Sequence, residues 1–342
     1  MSGSAVSGQQ EELGLLEQTA RDILGDVAGA DTAKAWQVLA SAELPLLAVP
    51  EPAGGGWLAA AAAVARITGE LGADVPYADA AIVAAPLLAA VELALPDGLV
   101  VASTGDVEVS KDGDGFRLRG TLARVPFAAS ADRIVFVADD FVVSLDSSLA
   151  TATEGRNIAG EPRDFLSLDV VVPADAVAPA PSGAGEELLR RGAVARAVAM
   201  SGAAQGALSA SVRYATERVQ FGRPIAKQQA VQHALAEMAA EVEAMRASAD
   251  AAVAVCADEG FLTEAALVAV ATAKAQAGAS AEVVARLAHQ VHGAIGTTQE
   301  HSLHRVTLRL WSWRDEFGSE RFWQEQLGRL ALAGDPWEEV TR

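Results

Sequence analysis

The sequence predicts a mostly helical protein that contains one small β domain. Apolar residues make up 51% of the 342-residue chain but aromatic residues only 5%, and alanine is the most frequent apolar residue, as is typical of closely packed helices. Apolar residues recur with helical spacing at both ends of the chain, whereas the centre has short runs rich in Val, Phe and Leu that are separated by turn residues. At about 150 residues per domain, this length predicts two to three domains.

The N-terminal segment, residues 1–96, is predicted to be a helical domain. Amphipathic helices are predicted over residues 11–27, 31–39, 57–71 and 78–93. Asp31 stands at the start of the second of these helices, where its carboxylate can accept a hydrogen bond from a free backbone N–H group. A Pro- and Gly-rich connector, residues 49–56, follows that helix.

The middle segment, residues 97–178, is predicted to be the β domain. Strands are predicted over residues 99–103, 107–110, 116–125, 133–137, 141–145 and 165–172. Residues 112–115, Asp-Gly-Asp-Gly, lie between two of these runs and predict a hairpin turn. A calcium loop would need further oxygen ligands and a closing Glu, and these do not follow.

The C-terminal segment, residues 179–342, is predicted to be a helical bundle. Residues 173–185 read as a linker because Pro, Ala and Gly dominate them. Helices are predicted over residues 187–218, 227–257, 263–291, 300–313 and 320–330, and the first three are long enough to span a bundle. The sequence shows no repeat of fixed period.

Charge and hydropathy exclude several classes of partner. The chain has 26 basic and 45 acidic residues, a net charge of −19, which argues against nucleic acid or an anionic membrane as the main partner. An anionic small molecule held by a few arginines stays compatible with this charge. Residues 1–12 lack the basic start of a signal peptide, and residues 80–96 are too few to cross a bilayer. The single cysteine, Cys256, is expected to be a buried helix residue, and we expect a cytoplasmic protein.

Four of the five histidines form two pairs with i, i+3 spacing, His289 with His292 and His301 with His304. This spacing can present two imidazoles on one helix face, as a metal site requires. No HExxH motif is present, however, and two glycines interrupt the helix between the pairs, so no metal site is predicted. These side chains are expected near a turn and a subunit surface. The sequence also lacks a P-loop, a Rossmann glycine turn and a GxSxG motif.

Two corners of the predicted bundle could hold a ligand. In the first, a helix ends near Arg218, a Gly-Arg-Pro turn reverses the chain, and a second helix begins at about Lys227. Arg218 and Arg223 place positive charge there, which could neutralise a pyrophosphate, although an arginine-capped helical hairpin without a ligand is the alternative. The second corner, residues 290–296, reads Gln-Val-His-Gly-Ala-Ile-Gly, and its small residues allow the backbone to approach a ligand closely.

Together, in this order and with this spacing, the two corners resemble motifs of the acyl-CoA dehydrogenase family. The matching residues are Arg218, Phe221, Gly222 and Gln229 for the Arg-x-x-Phe-Gly…Gln element, and Gln290, Gly293 and Ala294 for the Gln-x-x-Gly-Gly element. Shorter segments agree over nearly the whole chain. The resemblance implies an N-terminal helical domain, a middle domain like a β-barrel and a C-terminal four-helix bundle.

The resemblance also implies a reaction and a cofactor. In that family an acyl-CoA thioester loses an α-proton to a glutamate while a hydride passes from Cβ to the flavin of FAD. The two corners of one subunit hold the adenosine diphosphate half of an FAD whose flavin lies in the neighbouring subunit. The implied FAD-binding residues of this chain are Arg218, Gln220, Phe221, Gly222, Gln229, Gln290, Gly293 and Ala294.

The chain departs from the family where catalysis takes place. Phe317 stands at the position of the usual glutamate base, and the alternative position in the first bundle helix, near Arg191, also lacks a carboxylate. Glu316 is a weak candidate for the base, because neighbouring residues of a helix point about 100° apart and its side chain would therefore point away from the position of residue 317. The family's two elements that contact the flavin ring are absent at the corresponding positions of this chain, which are residues 101–106 and 125–127. This pattern resembles the short, base-less subunits of heteromeric (α2β2) actinobacterial acyl-CoA dehydrogenases.

The sequence therefore predicts a partner subunit that completes an FAD site shared with a longer catalytic chain, which supplies the glutamate and acts on an acyl-CoA. One alternative is a self-sufficient homo-oligomer with a relocated base at Glu316 or Asp315. Another is a non-catalytic scaffold subunit, which would have no need of the FAD motifs. The sequence does not distinguish fatty, branched and steroid acyl groups, although base-less partners often occur with bulky groups such as steroid side chains.

Overall fold

The computed structural model describes residues 3–27, 31–298 and 300–333, and it confirms a mostly helical protein with a small sheet region. The chain divides into two compact units, one of residues 1–68 and 73–195 and the other of residues 69–72 and 196–342. The division into three domains stays a prediction. In the part of the chain that the structure describes, no helix combines the length and the apolar character that crossing a bilayer requires.

The N-terminal helices overlap the predicted ones, although α1 begins eight residues before its predicted start. They are α1 (Gly3–Asp26), α2 (Thr32–Ser41), α3 (Leu58–Leu71) and, after a π-helical segment (Asp79–Ala84), α4 (Ala85–Ala90). The predicted cap of α2 is confirmed, because the Asp31 carboxylate accepts a hydrogen bond of 2.8 Å from the backbone N–H of Lys34.

The predicted helix over residues 78–93 is not a uniform α-helix. It is π-helical from Asp79 to Ala84, and its α-helical part ends at Ala90. Pro86 explains the irregularity, because it has no N–H group to donate to the carbonyl of Ile82, four residues earlier. The guanidinium of Arg191 donates to that carbonyl instead, at 3.3 Å. Arg191, which the resemblance places at an alternative position of the base, thus forms a hydrogen bond with the π-helical segment.

The central strands form two four-stranded sheets. The strands are β1 (Val100–Ala102), β2 (Thr104–Asp112), β3 (Gly115–Pro126), β4 (Arg133–Ala138), β5 (Phe141–Asp146), β6 (Thr151–Thr153), β7 (Arg163–Pro173) and β8 (Val177–Pro179). Their orders are β1-β4-β5-β8 and β2-β3-β7-β6, and every pair is antiparallel except β1 with β4. The predicted hairpin turn is confirmed, because Asp112 pairs with Gly115 and Gly113 has a φ of +59°.

Two of these eight strands were not predicted. β6 has only three residues, all of them exposed, so it shows no alternation that could reveal it. The predicted linker over residues 173–185 contains β8, which pairs with β5, and the start of the next helix. Its Pro- and Ala-rich composition concealed this short edge strand.

Five further α-helices follow among the described residues. They are α5 (Ala184–Glu217), α6 (Gln229–Glu259), α7 (Glu264–His292), α8 (Leu303–Trp313) and α9 (Glu320–Ala333). Small residues allow close packing: a Cβ atom on Gly278 of α7 would lie 3.0 Å from the Cβ atom of Glu320 of α9. Cys256 is buried in α6, as predicted.

Candidate functional site

A two-stranded hairpin joins α5 to α6 and forms the first corner. Its strands are β9 (Val219–Gln220) and β10 (Arg223–Pro224), and the chain reverses at Phe221 and Gly222, with φ angles of +52° and +79°. The predicted Gly-Arg-Pro turn is therefore displaced by two residues. The reason is that a two-residue hairpin loop favours positive φ at both central positions, which Pro224 cannot adopt.

The base of this hairpin is anchored to both neighbouring helices. The backbone N–H of Arg218 donates to the carbonyl of Tyr214, and the backbone N–H of Ile225 donates to the carbonyl of Arg218, both at 2.9 Å. The Ile225 side chain is buried in one cluster with Ala215 of α5 and Val291 of α7. This cluster brings the first corner next to the second, although the two are far apart in sequence.

The second corner begins where α7 ends. Gly293 has a φ of +64°, and its N–H group donates to the carbonyl of His289. A Cβ atom at Gly293 would have no neighbour within 4 Å among the described residues, so the backbone here is open to a ligand. Gly293 and Ala294 then start a short 3₁₀ turn that ends at Thr297.

A cleft of about 370 Å³ lies between the two corners. It is lined by five of the eight predicted FAD-binding residues: Arg218, Gln220, Gln290, Gly293 and Ala294. The other three lie outside its lining. Phe221 is at the tip of the hairpin with 92% of its surface exposed, Gly222 is beside it, and Gln229 is exposed at the start of α6.

The cleft is electropositive in a strongly acidic chain. None of the described residues that line it is an Asp or Glu, whereas the net charge of the chain is −19. Within the described residues, the Arg218 guanidinium has no ion-pair partner, so its donors are available to a ligand. Arginine binds phosphate oxygens in a bidentate manner, and the Gln220 and Gln290 amides add further donors.

Tyr214 and His292 also line the cleft, and the sequence did not predict them as site residues. Their rings are stacked with centroids 4.6 Å apart, and His301 contacts the His292 ring edge-on at 4.7 Å. Tyr214 precedes Arg218 by one helical turn, so this spacing was a usable signal.

The four paired histidines were expected near a subunit surface, but the structure buries His292. Its Nδ1 is 2.8 Å from the Ala288 carbonyl and donates to it, while its Nε2 is buried without a partner among the described residues. Burial lowers the pKa of His292, and nearby His301, His289 and Arg213 lower it further. Burial likewise lowers the pKa of His289, whose Nε2 lies 3.0 Å from the Thr307 hydroxyl.

The position of the missing base lies in a loop between α8 and α9. Phe317 has a φ of +54°, and its carbonyl accepts a 3.0 Å hydrogen bond from the indole N–H of Trp323. The buried ammonium group of Lys274 donates to the carbonyls of Arg314 at 2.6 Å and Gly318 at 2.8 Å. Burial lowers the pKa of Lys274 to about 7. No motif in the sequence singles out this lysine.

The weak base candidate, Glu316, is bound to an arginine. Its Oε2 accepts a 2.6 Å hydrogen bond from Nε of Arg196, and the two side chains are only 9% and 3% exposed. The same guanidinium lies over the ring of Phe317, 5.5 Å from its centroid. The Glu316 carboxylate therefore neutralises a buried charge in this structure.

Comparison with known proteins finds a family model that matches the C-terminal part of this chain. Residues 184–320 match the model of the acyl-CoA dehydrogenase C-terminal domain. A glutaryl-CoA dehydrogenase of Desulfococcus multivorans is 32% identical over 228 residues, which are 61% of this chain and 57% of that protein. The chain spans between 26% and 57% of the length of the first curated relatives that it matches.

Two solved structures are similar over nearly the whole chain. One is the ChsE4-ChsE5 complex from Mycobacterium tuberculosis, with a TM-score of 0.83, 23% identity, and coverage of 95% of this chain and 98% of that chain. The other is a variant of the Tcur3481-Tcur3483 steroid ACAD, with a TM-score of 0.81, 27% identity, and coverage of 95% and 99%. The chain thus has the acyl-CoA dehydrogenase fold, and its residues 184–320 form that family's C-terminal domain.

Proposed function

We propose that this relative of the acyl-CoA dehydrogenases binds the adenosine diphosphate half of FAD and serves as the partner of a longer catalytic chain. The observation that carries the proposal is the single cleft that joins Arg218 and Gln220 of the first corner to Gln290 and Gly293 of the second. The longer chain would supply the glutamate base and the pocket for the flavin ring, and the assembly would desaturate an acyl-CoA thioester.

The residues of the cleft fit a diphosphate. Such a group needs a cation and several hydrogen-bond donors, and the cleft offers the Arg218 guanidinium, two amide side chains and the open backbone at Gly293, with no carboxylate among its described lining residues. A volume of about 370 Å³ is near the lower end of the roughly 300–1,000 Å³ of ligand pockets, which suits half of a dinucleotide. When bound, FAD supplies the hydride acceptor of the reaction.

The need for a partner rests on two further observations. Phe317 cannot act as a base, and the carboxylate of Glu316 is bound to the Arg196 guanidinium. In addition, apolar side chains are exposed on the two corners: Phe221 is 92% exposed, Val219 57% and Ile295 45%. A partner that covered these side chains would remove apolar surface from water, which favours association.

The names of the two similar structures support an assembly of two different chains, because each name joins two proteins. One of them is called a steroid ACAD, so we propose a bulky acyl group, such as a steroid side chain, as the substrate class. This choice of substrate depends on the likeness to those structures and on no contact in the described cleft.

The visible absorbance spectrum tests the proposal directly. The chain is purified alone and again after co-expression with a longer catalytic acyl-CoA dehydrogenase chain. We expect a colourless protein alone and a yellow mixed oligomer after co-expression. A lone chain that holds about one flavin per subunit would refute the shared site and revive the self-sufficient enzyme. If a mixed oligomer forms but holds no flavin, the scaffold alternative is favoured. If no mixed oligomer forms, the proposed partnership is refuted.

A pair of variants then locates the flavin site. Arg218→Gln keeps a polar side chain but removes the bidentate cation from the cleft. We expect FAD affinity of the mixed oligomer to fall by about 10- to 100-fold, since a hydrogen bond to a charged group contributes about 1.5–3 kcal/mol. The control is Arg246→Gln, which removes an exposed arginine paired with Glu243 on α6 and should leave the affinity unchanged. Equal affinities of the two variants would contradict the assignment.

A further inference from the structure

We infer that a second cleft of the C-terminal unit binds a phosphate group, independently of the proposed FAD site. This cleft has a volume of about 260 Å³ and lies where the end of α3, one face of α5 and the start of α8 meet. Two cations, Arg213 and Arg305, and two hydroxyl groups, of Ser209 and Ser302, are among its lining residues. The proposal does not require that FAD binds at the first cleft.

The charges in this second cleft are not balanced by the protein. Within the part of the chain that the structure describes, neither Arg213 nor Arg305 forms an ion pair, although the chain has 45 acidic residues and 26 basic ones. The cleft has one carboxylate among its described lining residues, that of Glu70, so its two guanidinium groups outnumber its acidic groups. Two guanidinium groups that line one concave site attract anions to it.

The hydroxyl groups are placed to add hydrogen bonds. Ser209 and Arg213 are four residues apart on α5, so both side chains lie on the same face of that helix. The Ser209 hydroxyl accepts a 3.1 Å hydrogen bond from the Gln205 amide, which leaves the proton of that hydroxyl available to an acceptor in the cleft. Ser302 and Arg305 come from the start of α8 on the opposite side.

This set of donors fits a phosphate better than a carboxylate. Two guanidinium groups and two hydroxyl groups offer more donors than the two oxygens of a carboxylate can accept in one plane, whereas a phosphate monoester presents three oxygens in different directions. The volume exceeds that of a phosphate group alone, so the rest of a phosphorylated nucleoside could also enter the cleft. Free phosphate and a nucleoside monophosphate share the chemistry that the cleft recognises.

Titration calorimetry of the purified chain with inorganic phosphate and with adenosine monophosphate tests the inference. We expect saturable binding of one equivalent of ligand at the second cleft. Tighter binding of adenosine monophosphate would identify the natural ligand as a nucleoside phosphate, and equal affinity for the two ligands would identify it as free phosphate. Arg305→Gln should weaken that binding at least about 10-fold, because it removes a charge-assisted contact. Arg286→Gln, which removes an exposed arginine paired with Glu237 on α6, is the matched control and should keep the affinity.

The first cleft provides the second control. If phosphate binding is weakened by Arg218→Gln and unaffected by Arg305→Gln, the anion occupies the FAD site and the inference is wrong. It is also wrong if the wild-type chain shows no saturation with either ligand up to about 10 mM, because a site with a Kd of about 1 mM would be nearly saturated at that concentration. Circular dichroism of Arg305→Gln verifies that this exposed substitution leaves the helices intact. If the mixed oligomer holds no FAD but the purified chain still binds phosphate at the second cleft, the proposed function is refuted and this inference stands.

Discussion

Lys274 provides the sharpest test of how the loop after α8 is held. The side chain is fully buried in α7, and its Nζ donates to the carbonyls of Arg314 and Gly318. Burial lowers the pKa from 10.5 to about 7. Because the folded pKa is below the unfolded one, the unfolded chain binds more protons between about pH 7 and 10.5. The free energy of unfolding therefore rises with pH across this window.

The magnitude follows from the two pKa values. Their difference corresponds to a penalty of about 5 kcal/mol for the charged lysine, of which about 3 kcal/mol is regained between pH 7 and pH 9.5. A neutral amine still has two N–H groups, one for each carbonyl, so the hydrogen bonds persist while the desolvated charge is lost. Replacement of Lys274 by Met removes the titrating group and with it this part of the pH dependence.

Urea unfolding of wild type and Lys274→Met at pH 7 and pH 9.5 measures the effect. We expect the wild type to gain about 3 kcal/mol relative to the variant between the two pH values. Lys34→Met, a change at an exposed lysine of α2, is the control and should follow the wild type at both. A stability difference between wild type and Lys274→Met that is the same at both pH values, within about 0.5 kcal/mol, would refute the reasoning.

Three further substitutions test other parts of the structure. Asp31→Ala removes the cap of α2 and should lower the free energy of unfolding by about 1 kcal/mol in urea titrations, and an unchanged midpoint would show that this cap contributes nothing. Glu316→Gln removes the carboxylate that is bound to the buried Arg196 guanidinium and should lower the free energy of unfolding by about 3–5 kcal/mol. Asp315→Asn, at an exposed position, should change it by less than about 0.5 kcal/mol, and equal effects would contradict the buried pair. Because the folded pKa of His292 is below its unfolded value, the unfolded chain takes up the proton first, and wild-type stability should fall as the pH drops below about 6.5. In thermal unfolding at pH 7 and pH 5, His292→Phe should lose less stability on acidification than the wild type. An equal loss in both proteins would exclude His292 as the cause.

The long helices were predictable because their patterns extend over many turns. The start of α2 was also predictable, since Asp31 is a capping residue directly before an apolar periodic segment. Short elements were different: β6 and β8 have three residues each, too few for a period to emerge. The π-helical segment depends on the position of Pro86 and on Arg191, which is more than one hundred residues away in the sequence.

The candidate site was predictable as far as its motifs reach. The spacing of Arg218 and Gln290 within two corners identified residues that line one cleft. The position of Tyr214, one helical turn before Arg218, was a usable signal, whereas the stacking of His292 on its ring is a contact between two helices that leaves no motif in the sequence. The same holds for the unpaired state of Arg305, because pairing of charges is decided by the tertiary structure and not by composition.

The anchoring of the loop after α8 bears on how this chain could change over time. The hydrogen bonds from Lys274 and Trp323 end on the main-chain carbonyls of Arg314, Phe317 and Gly318, so they do not depend on which side chains the loop carries. The shape of the loop is thus separated from the identity of residue 317. A single substitution could therefore remove or introduce an acidic side chain at this position without a change of the loop's shape. Phe317→Glu is the smallest change that tests whether an acidic side chain at this position can act as a base.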